Sequence, residues 1–218
     1  MNKKFAVLLS GCGHLDGAEI REAVLSLLAI ESQGHSYNIY APDYNQQHVI
    51  NHITGEELTE TRNILVESAR IARGNIQNVN KLVISKYDGL VMPGGFGAAK
   101  NYCSIASNGP NASITPKIKE IVLGFNSQKK PIGAICISPA VVALAFKGVK
   151  TIEVTLGDDN DSNASLIKGL GSKHIHTNIG EAYYFTDEKI ASCAAYMRDS
   201  KLPEIYKEIS SVIELISK

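Results

Sequence analysis

Cys136 stands at a point in the chain where a thiol could act as a nucleophile. The apolar run Ile132–Ile135 before it is typical of a short buried strand, and residues 139–146 after it are Ala-rich and compatible with a helix. A side chain at such a strand-to-helix corner, a nucleophile elbow, is held in a strained position above the sheet. The start of the helix should also lower the pKa of the thiol. We therefore favour a reactive thiol over a buried, inert cysteine.

A second loop with chemical potential covers residues 10–19. Its glycines allow tight turns, and Glu19 falls in the first turn of the helix that follows. The local pattern fits Glu19 equally well as a functional acid and as a carboxylate that stabilises the helix start. The glycine spacing does not match the dinucleotide fingerprint GxGxxG, and Asp16 would repel a pyrophosphate. We therefore reject a nucleotide cofactor.

A third loop, residues 93–101, carries the glycine pair Gly94-Gly95 in front of a helix. Its backbone N–H groups suit an oxyanion hole, although a tight turn that needs a positive φ would explain the glycines equally well. In an elbow the residue after the nucleophile, here Ile137, usually supplies the second N–H donor. Asp16 and Asn101 are candidates for the lining of the substrate pocket, but either side chain could instead cap a helix.

The sequence offers no clear histidine base for the thiol. Ile137 follows Cys136 directly, and His14, His174 and His176 are each more typical of a surface or structural histidine. A thiol, a carboxylate and backbone donors indicate covalent carbonyl chemistry. A glutaminase needs a Cys-His-Glu triad, and no His-x-Glu pair follows Cys136. Peptide hydrolysis would need the same missing histidine.

Composition limits the setting in which this chemistry can occur. The 218 residues are 44% hydrophobic and 20% charged, and the 22 basic residues balance the 22 acidic ones, so we expect neither nucleic-acid nor membrane binding. The apolar stretches are shorter than a membrane span, and the N-terminus runs straight into a strand. Four scattered cysteines indicate neither a zinc site nor a disulfide framework. We predict a cytoplasmic protein without metal or cofactor.

Strand-like and helix-like stretches alternate along the chain. This alternation predicts one domain, residues 1–218, with a mainly parallel sheet covered on both faces. Loops that follow parallel strands meet at the carboxyl edge of the sheet, so the three loops should converge there. In the first helix the apolar positions Ile20, Ala23, Val24, Leu27 and Leu28 recur at helical spacing. The predicted strands are 5–9, 37–40, 89–92, 132–135 and 151–155, with a hairpin of 183–185 and 189–191; the predicted helices are 18–31, 61–73, 115–128, 139–146 and 202–216, and 158–163 is predicted to be a polar loop.

Four segments, residues 5–11, 16–23, 87–101 and 130–140, resemble the ThiJ/PfpI branch of the class I glutamine amidotransferase-like superfamily. The strings SGCGHLDGAEIREAV, INHITGEELTETRN, ESARIARG and PGGFGAAKN are similar to its ElbB subgroup, known as isoprenoid-biosynthesis glyoxalases, which has mitochondrial relatives in eukaryotes. The sequence departs from that pattern at Ser192-Cys193-Ala194, where a Thr-Thr-Pro-like stretch is expected.

The resemblance implies a flavodoxin-like three-layer α/β sandwich, usually a homodimer. It implies that Cys136 is the nucleophile, Glu19 the acid, and the N–H groups of Gly95 and Ile137 the oxyanion donors. Asp16, Gly94 and Asn101 are the expected pocket residues, and the superfamily's variable histidine does not map onto this chain.

The predicted function is a cofactor-independent glyoxalase III-type activity on a small carbonyl substrate such as glyoxal or methylglyoxal. Cys136 would form a hemithioacetal, and Glu19, its pKa raised by burial, would move the proton that leads to a 2-hydroxy acid. The alternative is a redox sensor or chaperone-like stress protein whose Cys136 is oxidised reversibly without turnover.

Overall fold

Strands and helices alternate in the computed structural model, which describes residues 2–159 and 162–218. The strands are β1 (Lys4–Leu8), β2 (Ser36–Ala41), β3 (Ile76–Asn78), β4 (Gly89–Met92), β5 (Ile132–Ile135), β6 (Glu153–Val154), β7 (Lys173–His174), β8 (Tyr183–Phe185) and β9 (Ile190–Cys193). The α-helices are α1 (Ile20–Ser32), α2 (Ile64–Ile71), α3 (Phe96–Asn101), α4 (Ile105–Asn108), α5 (Pro116–Ser127), α6 (Ser138–Phe146), α7 (Ser162–Gly169) and α8 (Leu202–Ser217).

Seven of these strands form the central sheet in the order β3-β2-β1-β4-β5-β9-β8. All neighbours pair in parallel except β8 and β9, which form the predicted antiparallel hairpin at one edge. Strands β6 and β7 pair separately. The flavodoxin-like α/β fold with a mainly parallel sheet is therefore confirmed.

The sheet separates two apolar cores because successive side chains of a strand point to opposite faces. In β1, Ala6 and Leu8 pack on the side of α5 and α6, whereas Phe5 and Val7 pack on the side of α1 and α8. Burial on both faces explains why the central strands are continuously apolar rather than alternating.

The strand order changes direction next to β1. From β1 the chain moves outward through β2 and β3, and it then returns to the other side of β1 with β4 and β5. A crevice opens at such a switch point at the carboxyl edge of a parallel sheet. The loops after β1 and β4 therefore lie side by side, with the β5–α6 corner next to them.

Helix α1 is oriented differently from the sequence prediction. Of the five apolar positions predicted, Ala23 is buried and Leu27 packs against the core, but Ile20, Val24 and Leu28 are 45%, 48% and 47% exposed. The polar side chains of Glu22 and Ser26 are instead fully buried. Small residues on this face, such as Ser26, let the helix approach the sheet closely, and buried hydrogen bonds hold Glu22 there.

Two smaller predictions also change. The predicted polar loop 158–163 includes residues 160 and 161, which lie outside the described residues, and Ser162 begins α7 instead of lying in a loop. Strand β6 contains only two of the five residues predicted. In the described part of the chain, no helix has both the length and the apolarity needed to cross a membrane.

Candidate active site

Cys136 occupies the corner between β5 and α6 with a φ of 61°, a left-handed backbone that is rare outside glycine. Its N–H donates to the carbonyl oxygen of Cys193 at 3.0 Å, which continues the pairing of β5 with β9. The hydroxyl of Ser138 donates to the carbonyl oxygen of Pro93 at 2.8 Å and ties the corner to the loop after β4. The predicted nucleophile elbow is therefore present.

The glycine pair allows the main chain to approach the thiol. A Cβ on Gly94 would lie 2.4 Å from the Cys136 Cβ, and one on Gly95, whose φ is 96°, would lie 2.3 Å from the Glu19 nitrogen. The tight turn and the presentation of backbone N–H groups, which the sequence left as alternatives, are therefore both present. Gly95 adopts the positive φ, and the same loop directs N–H groups towards the thiol. The N–H groups of Gly95 and Ile137 hydrogen-bond the Cys136 sulfur.

The carboxyl group beside the thiol belongs to Glu22. Its Oε2 accepts the Gly94 N–H at 3.0 Å, and its Oε1 accepts the Tyr196 N–H at 3.3 Å. The Cys136 thiol is its third hydrogen-bonding partner. The Cys136 Sγ and the Glu22 Oε2 lie 2.9 Å and 2.7 Å from the point where a Gly94 Cβ would stand. Gly94 therefore packs closely against both Glu22 and Cys136.

Glu19, the acid proposed from the sequence, has a different position. Its carboxylate accepts the Glu22 N–H at 2.6 Å and caps the start of α1, while the residue also lines the cavity in front of Cys136. The assignment of Glu19 as the thiol's hydrogen-bonding partner is corrected to Glu22, which lies on the buried face of α1. A sequence signal did exist: Ser26 and Ala29 follow Glu22 at helical spacing and mark a close-packed face.

The pKa values of Glu22 and Cys136 differ from what an isolated carboxyl group and a thiol at a helix start would show. Burial raises the pKa of Glu22 to about 8, and the charge of Glu19 adds to the rise. Burial and then the charge of Glu22 raise the pKa of Cys136 well above its usual range. The N–H groups of Gly95 and Ile137 act in the predicted, opposite direction, but burial outweighs them. Because two adjacent buried negative charges repel, the pair keeps at least one proton at neutral pH.

A cavity of about 800 Å³ opens in front of Cys136. It is lined by Gly13, His14, Glu19, Ile20, Arg21, His52, Gly95, Phe96, Cys136, Ile137, Asn163, Tyr196 and Met197. A cavity of this size at the carboxyl edge of a parallel sheet is typical of a small-molecule site.

Asp16 and Asn101, predicted to line the pocket, lie behind its wall. The Asn101 amide donates to the carbonyl oxygens of Ser10 and Asp16 at 2.8 Å and 3.0 Å. The Asp16 carboxylate accepts the Ile50 N–H at 2.7 Å. Both side chains are buried and satisfied by backbone groups, so they brace the loops rather than face a ligand.

Two histidines line the cavity, and one of them, His52, was not predicted. Its Nε2 accepts the Leu15 N–H at 3.2 Å and its Nδ1 lies 3.0 Å from the Ile50 carbonyl oxygen, which indicates the Nδ1–H tautomer. The His14 ring packs edge-on against it at 5.1 Å.

The other two histidine candidates are elsewhere in the fold. His174 is buried between the Leu156 N–H and Asp159, and His176 lies 3.5 Å from Asp158. Neither lines the cavity. Across residues 2–159 and 162–218, no three His, Cys, Asp or Glu side chains are grouped as metal ligands.

The far wall of the cavity is a turn held by a second buried carboxylate. Ala195, with a φ of 44°, donates its N–H to the Oε2 of Glu208 at 2.7 Å. The Glu208 Oε1 accepts the Gly180 N–H at 2.9 Å and lies 3.2 Å from the Arg198 guanidinium. The next N–H along the turn, that of Tyr196, is the one that reaches Glu22.

Comparison with known proteins gives no match to a family model. The chain is 37% identical to the mitochondrial ES1 protein homolog of Rattus norvegicus, and the alignment covers 98% of this chain and 82% of the relative. It is 36% identical, with the same coverage, to the mitochondrial glutamine amidotransferase-like class 1 domain-containing protein 3 of Homo sapiens.

Two solved structures place the fold. The crystal structure of an isoprenoid biosynthesis protein with an amidotransferase-like domain from Ehrlichia chaffeensis has a TM-score of 0.93 and 40% identity, covering 99% of this chain and 98% of that one. Drosophila melanogaster DJ-1beta, with a TM-score of 0.55 and 14% identity over 100% of this chain and 92% of its own, shares the fold.

Proposed function

The chain belongs to the glutamine amidotransferase-like class 1 family of the ES1 proteins, within the ThiJ/PfpI/DJ-1 superfamily, and on that premise we propose an enzyme that converts 2-oxoaldehydes to 2-hydroxy acids without a cofactor. We also propose that the chain belongs to the ElbB-like subgroup and that Cys136 carries the activity.

One observation carries this proposal: a buried carboxyl group with a pKa near neutrality hydrogen-bonds the thiol that faces the cavity. A general acid–base is most effective when its pKa lies near the working pH, and burial raises the pKa of Glu22 to about 8. A single group can then both donate and accept a proton within one turnover. The N–H groups of Gly95 and Ile137, which surround the sulfur, would lie next to an oxygen on the carbon bonded to it.

The reaction begins when the Cys136 sulfur adds to the aldehyde carbon. An S–C bond forms, the C=O π electrons move to oxygen, and that oxygen receives the proton held by the pair, which gives a hemithioacetal. Glu22, now ionised, removes the proton from the carbon bonded to sulfur, and the hydroxyl proton of that carbon moves to the oxygen of the neighbouring carbonyl group, which gives an enediol. Glu22 then returns its proton to the neighbouring carbon, and the oxygen next to sulfur becomes the carbonyl oxygen of a thioester. Water then cleaves the resulting thioester to the 2-hydroxy acid and restores the thiol.

Glu19 takes a supporting role in this scheme. Its negative charge raises the pKa of Glu22, and its carboxylate fixes the first turn of α1, from which Glu22 reaches the thiol. Glu19 thus lines the cavity but is not the partner of the thiol.

The test is turnover of glyoxal and methylglyoxal by purified protein without added thiol, with the 2-hydroxy acid quantified by chromatography. We expect Cys136→Ala to abolish product formation. Cys12→Ala is the matched control, because Cys12 is a partly exposed cysteine that does not line the cavity. Undiminished turnover by Cys136→Ala would refute the mechanism.

A second candidate function is reversible oxidation of Cys136 in a redox sensor. It is favoured by the same donors, since protonated Glu22 and two N–H groups would stabilise a sulfinate. The raised pKa of the thiol favours turnover instead, because peroxide reacts with the thiolate. Intact mass after mild peroxide separates the two: a stable mass gain at Cys136 in a protein without turnover would favour sensing.

Two further proposals concern the setting of the protein. A homodimer is supported by the exposed apolar side chains of Val24 and Leu28 on α1, which do not line the cavity, and light scattering on the purified chain would test it. The cytoplasmic location stays a prediction; the ES1 relatives are named as mitochondrial, so imaging of the tagged protein is the appropriate test.

A further inference from the structure

We propose that the substrate carries a bulky apolar substituent, aromatic or branched, next to the carbonyl group that Cys136 attacks. This inference rests on the proposed function for the carbonyl chemistry and adds the class of molecule that fills the cavity. Glyoxal and methylglyoxal would react at the thiol but leave most of the space unoccupied.

The cavity is larger than a two- or three-carbon aldehyde needs. Cavities of about 300–1,000 Å³ are typical of drug-sized ligands, and the cavity in front of Cys136 has about 800 Å³. A two- or three-carbon aldehyde makes few contacts in such a volume, so binding energy from a larger substituent is needed to hold the carbonyl at the sulfur.

The side chains that line the cavity also favour an apolar substituent. Four of the lining side chains are large and apolar: Ile20, Phe96, Ile137 and Met197. Ile20 and Phe96 are 45% and 50% exposed, and both line the cavity. Covering their surface with an apolar substituent is favourable because it removes the surface from water.

The main chain at Phe96, whose ring lines the cavity, is held by a hydrogen bond. The N–H of Phe96 donates to the carbonyl oxygen of His14 at 2.8 Å. The Lys100 ammonium lies 5.4 Å from the centre of the Phe96 ring and also donates to the carbonyl oxygen of Leu15 at 3.0 Å. The main chain that carries the ring is therefore fixed, and an aromatic substituent that packs against the ring gains the affinity of an aromatic pair.

The first experiment compares kcat/KM for glyoxal, methylglyoxal and phenylglyoxal. We expect the wild type to prefer phenylglyoxal over methylglyoxal by at least about tenfold, and Phe96→Ala to remove most of that ratio. Ile53→Ala is the control, because Ile53 is 95% exposed and outside the cavity, and it should keep the ratio. A wild-type ratio near one, or a ratio that Phe96→Ala leaves intact, overturns the inference.

The second experiment measures binding without turnover. Cys136→Ser is titrated calorimetrically with the three product acids, glycolate, lactate and mandelate, and we expect mandelate to bind at least about tenfold more tightly than lactate. Equal affinities overturn the inference whatever the kinetics show. Preferential binding of mandelate in a protein whose wild type turns over none of the aldehydes would refute the proposed function and leave the apolar class of ligand standing.

Discussion

Two buried carboxylates lie on the two helices that pack against each other on one face of the sheet. Glu22 on α1 and Glu208 on α8 are both fully inaccessible to solvent. They accept N–H groups from adjacent residues of one turn, Tyr196 for Glu22 and Ala195 for Glu208. The two side chains therefore share burial, backbone partners and position.

The difference between them is the third partner. Glu208 faces the guanidinium of Arg198 at 3.2 Å, whereas Glu22 faces the Cys136 thiol and is near the negative charge of Glu19. A buried carboxylate beside a cation is stabilised as an anion, and one beside a thiol and another carboxylate is driven to keep its proton. Under the proposed function, Glu208 is thus a structural acid and Glu22 the acid that transfers the proton.

The largest expected effect is on catalysis. Glu22→Gln keeps the size and most hydrogen bonds of the side chain but cannot exchange the proton, so kcat for 2-oxoaldehydes should fall by about 10²–10⁴-fold. Glu208→Gln should keep most of its kcat per folded molecule, because Glu208 does not touch the thiol. Steady-state assays normalised to the folded fraction measure this, and equal losses in both variants would remove the distinction.

Stability should respond in the opposite order. Glu208→Gln removes the carboxylate nearest the Arg198 guanidinium, which keeps the carbonyl oxygens of Thr177 and Asn178 and lies 3.9 Å from Asp158, and we expect the free energy of unfolding to fall by about 3 kcal/mol. Glu22→Gln leaves no charge unpaired, but its amide nitrogen cannot accept one of the two N–H groups of Gly94 and Tyr196, so we expect a smaller loss of about 1–3 kcal/mol. Urea unfolding of the three proteins tests this; a larger loss for Glu22→Gln would contradict it.

The pH dependence of stability isolates the proton on Glu22. Its pKa rises on folding from 4.5 to about 8, so in this window the native state binds a proton that the unfolded state has released. The stability contributed by that bound proton is complete below about pH 4.5 and is lost as pH rises through about 8, over a range of a few kcal/mol. Wild type and Glu208→Gln should show this decline, and Glu22→Gln should lack it; parallel profiles in chemical denaturation would contradict the assignment.

The smallest effect is expected from Glu19→Gln. Removing this charge takes away one cause of the raised pKa of Glu22, so the ionisation expected near pH 8 in the kcat/KM profile should move to lower pH. The loss of the carboxylate cap should cost about 1 kcal/mol or less, since an amide oxygen can still accept the Glu22 N–H. An unchanged profile would show that Glu19 does not act on the pair.

The elbow and the glycine loop could be predicted because their signals are local. A strand, a cysteine and a helix in succession require a corner at Cys136, and the Gly94-Gly95 pair after β4 permits close main-chain approach. The parallel sheet follows in the same way from alternating elements.

The acid was misplaced from the sequence because the larger apolar residues of α1 outweighed the weaker signal of the small residues Ser26 and Ala29. Ile20, Val24 and Leu28 form as regular a stripe as the buried face does, and only tertiary hydrogen bonds decide in favour of Glu22. The direction of the thiol pKa was missed for a related reason: the helix start is visible in the sequence, whereas complete burial is a property of the assembled loops. His52 reaches the cavity through a long excursion after β2 that carries no periodic pattern.

The hydrogen bond from the Cys136 N–H to the Cys193 carbonyl oxygen anchors the backbone of Cys136 to the sheet. Its Cα is therefore as immobile as the strand it extends. A molecule entering the site meets a sulfur carried on fixed main chain, whereas at the rim the Arg21 guanidinium donates to the Tyr196 hydroxyl at 3.3 Å. Exposed side chains change rotamer within about nanoseconds, so this contact can open without any rearrangement of the chain.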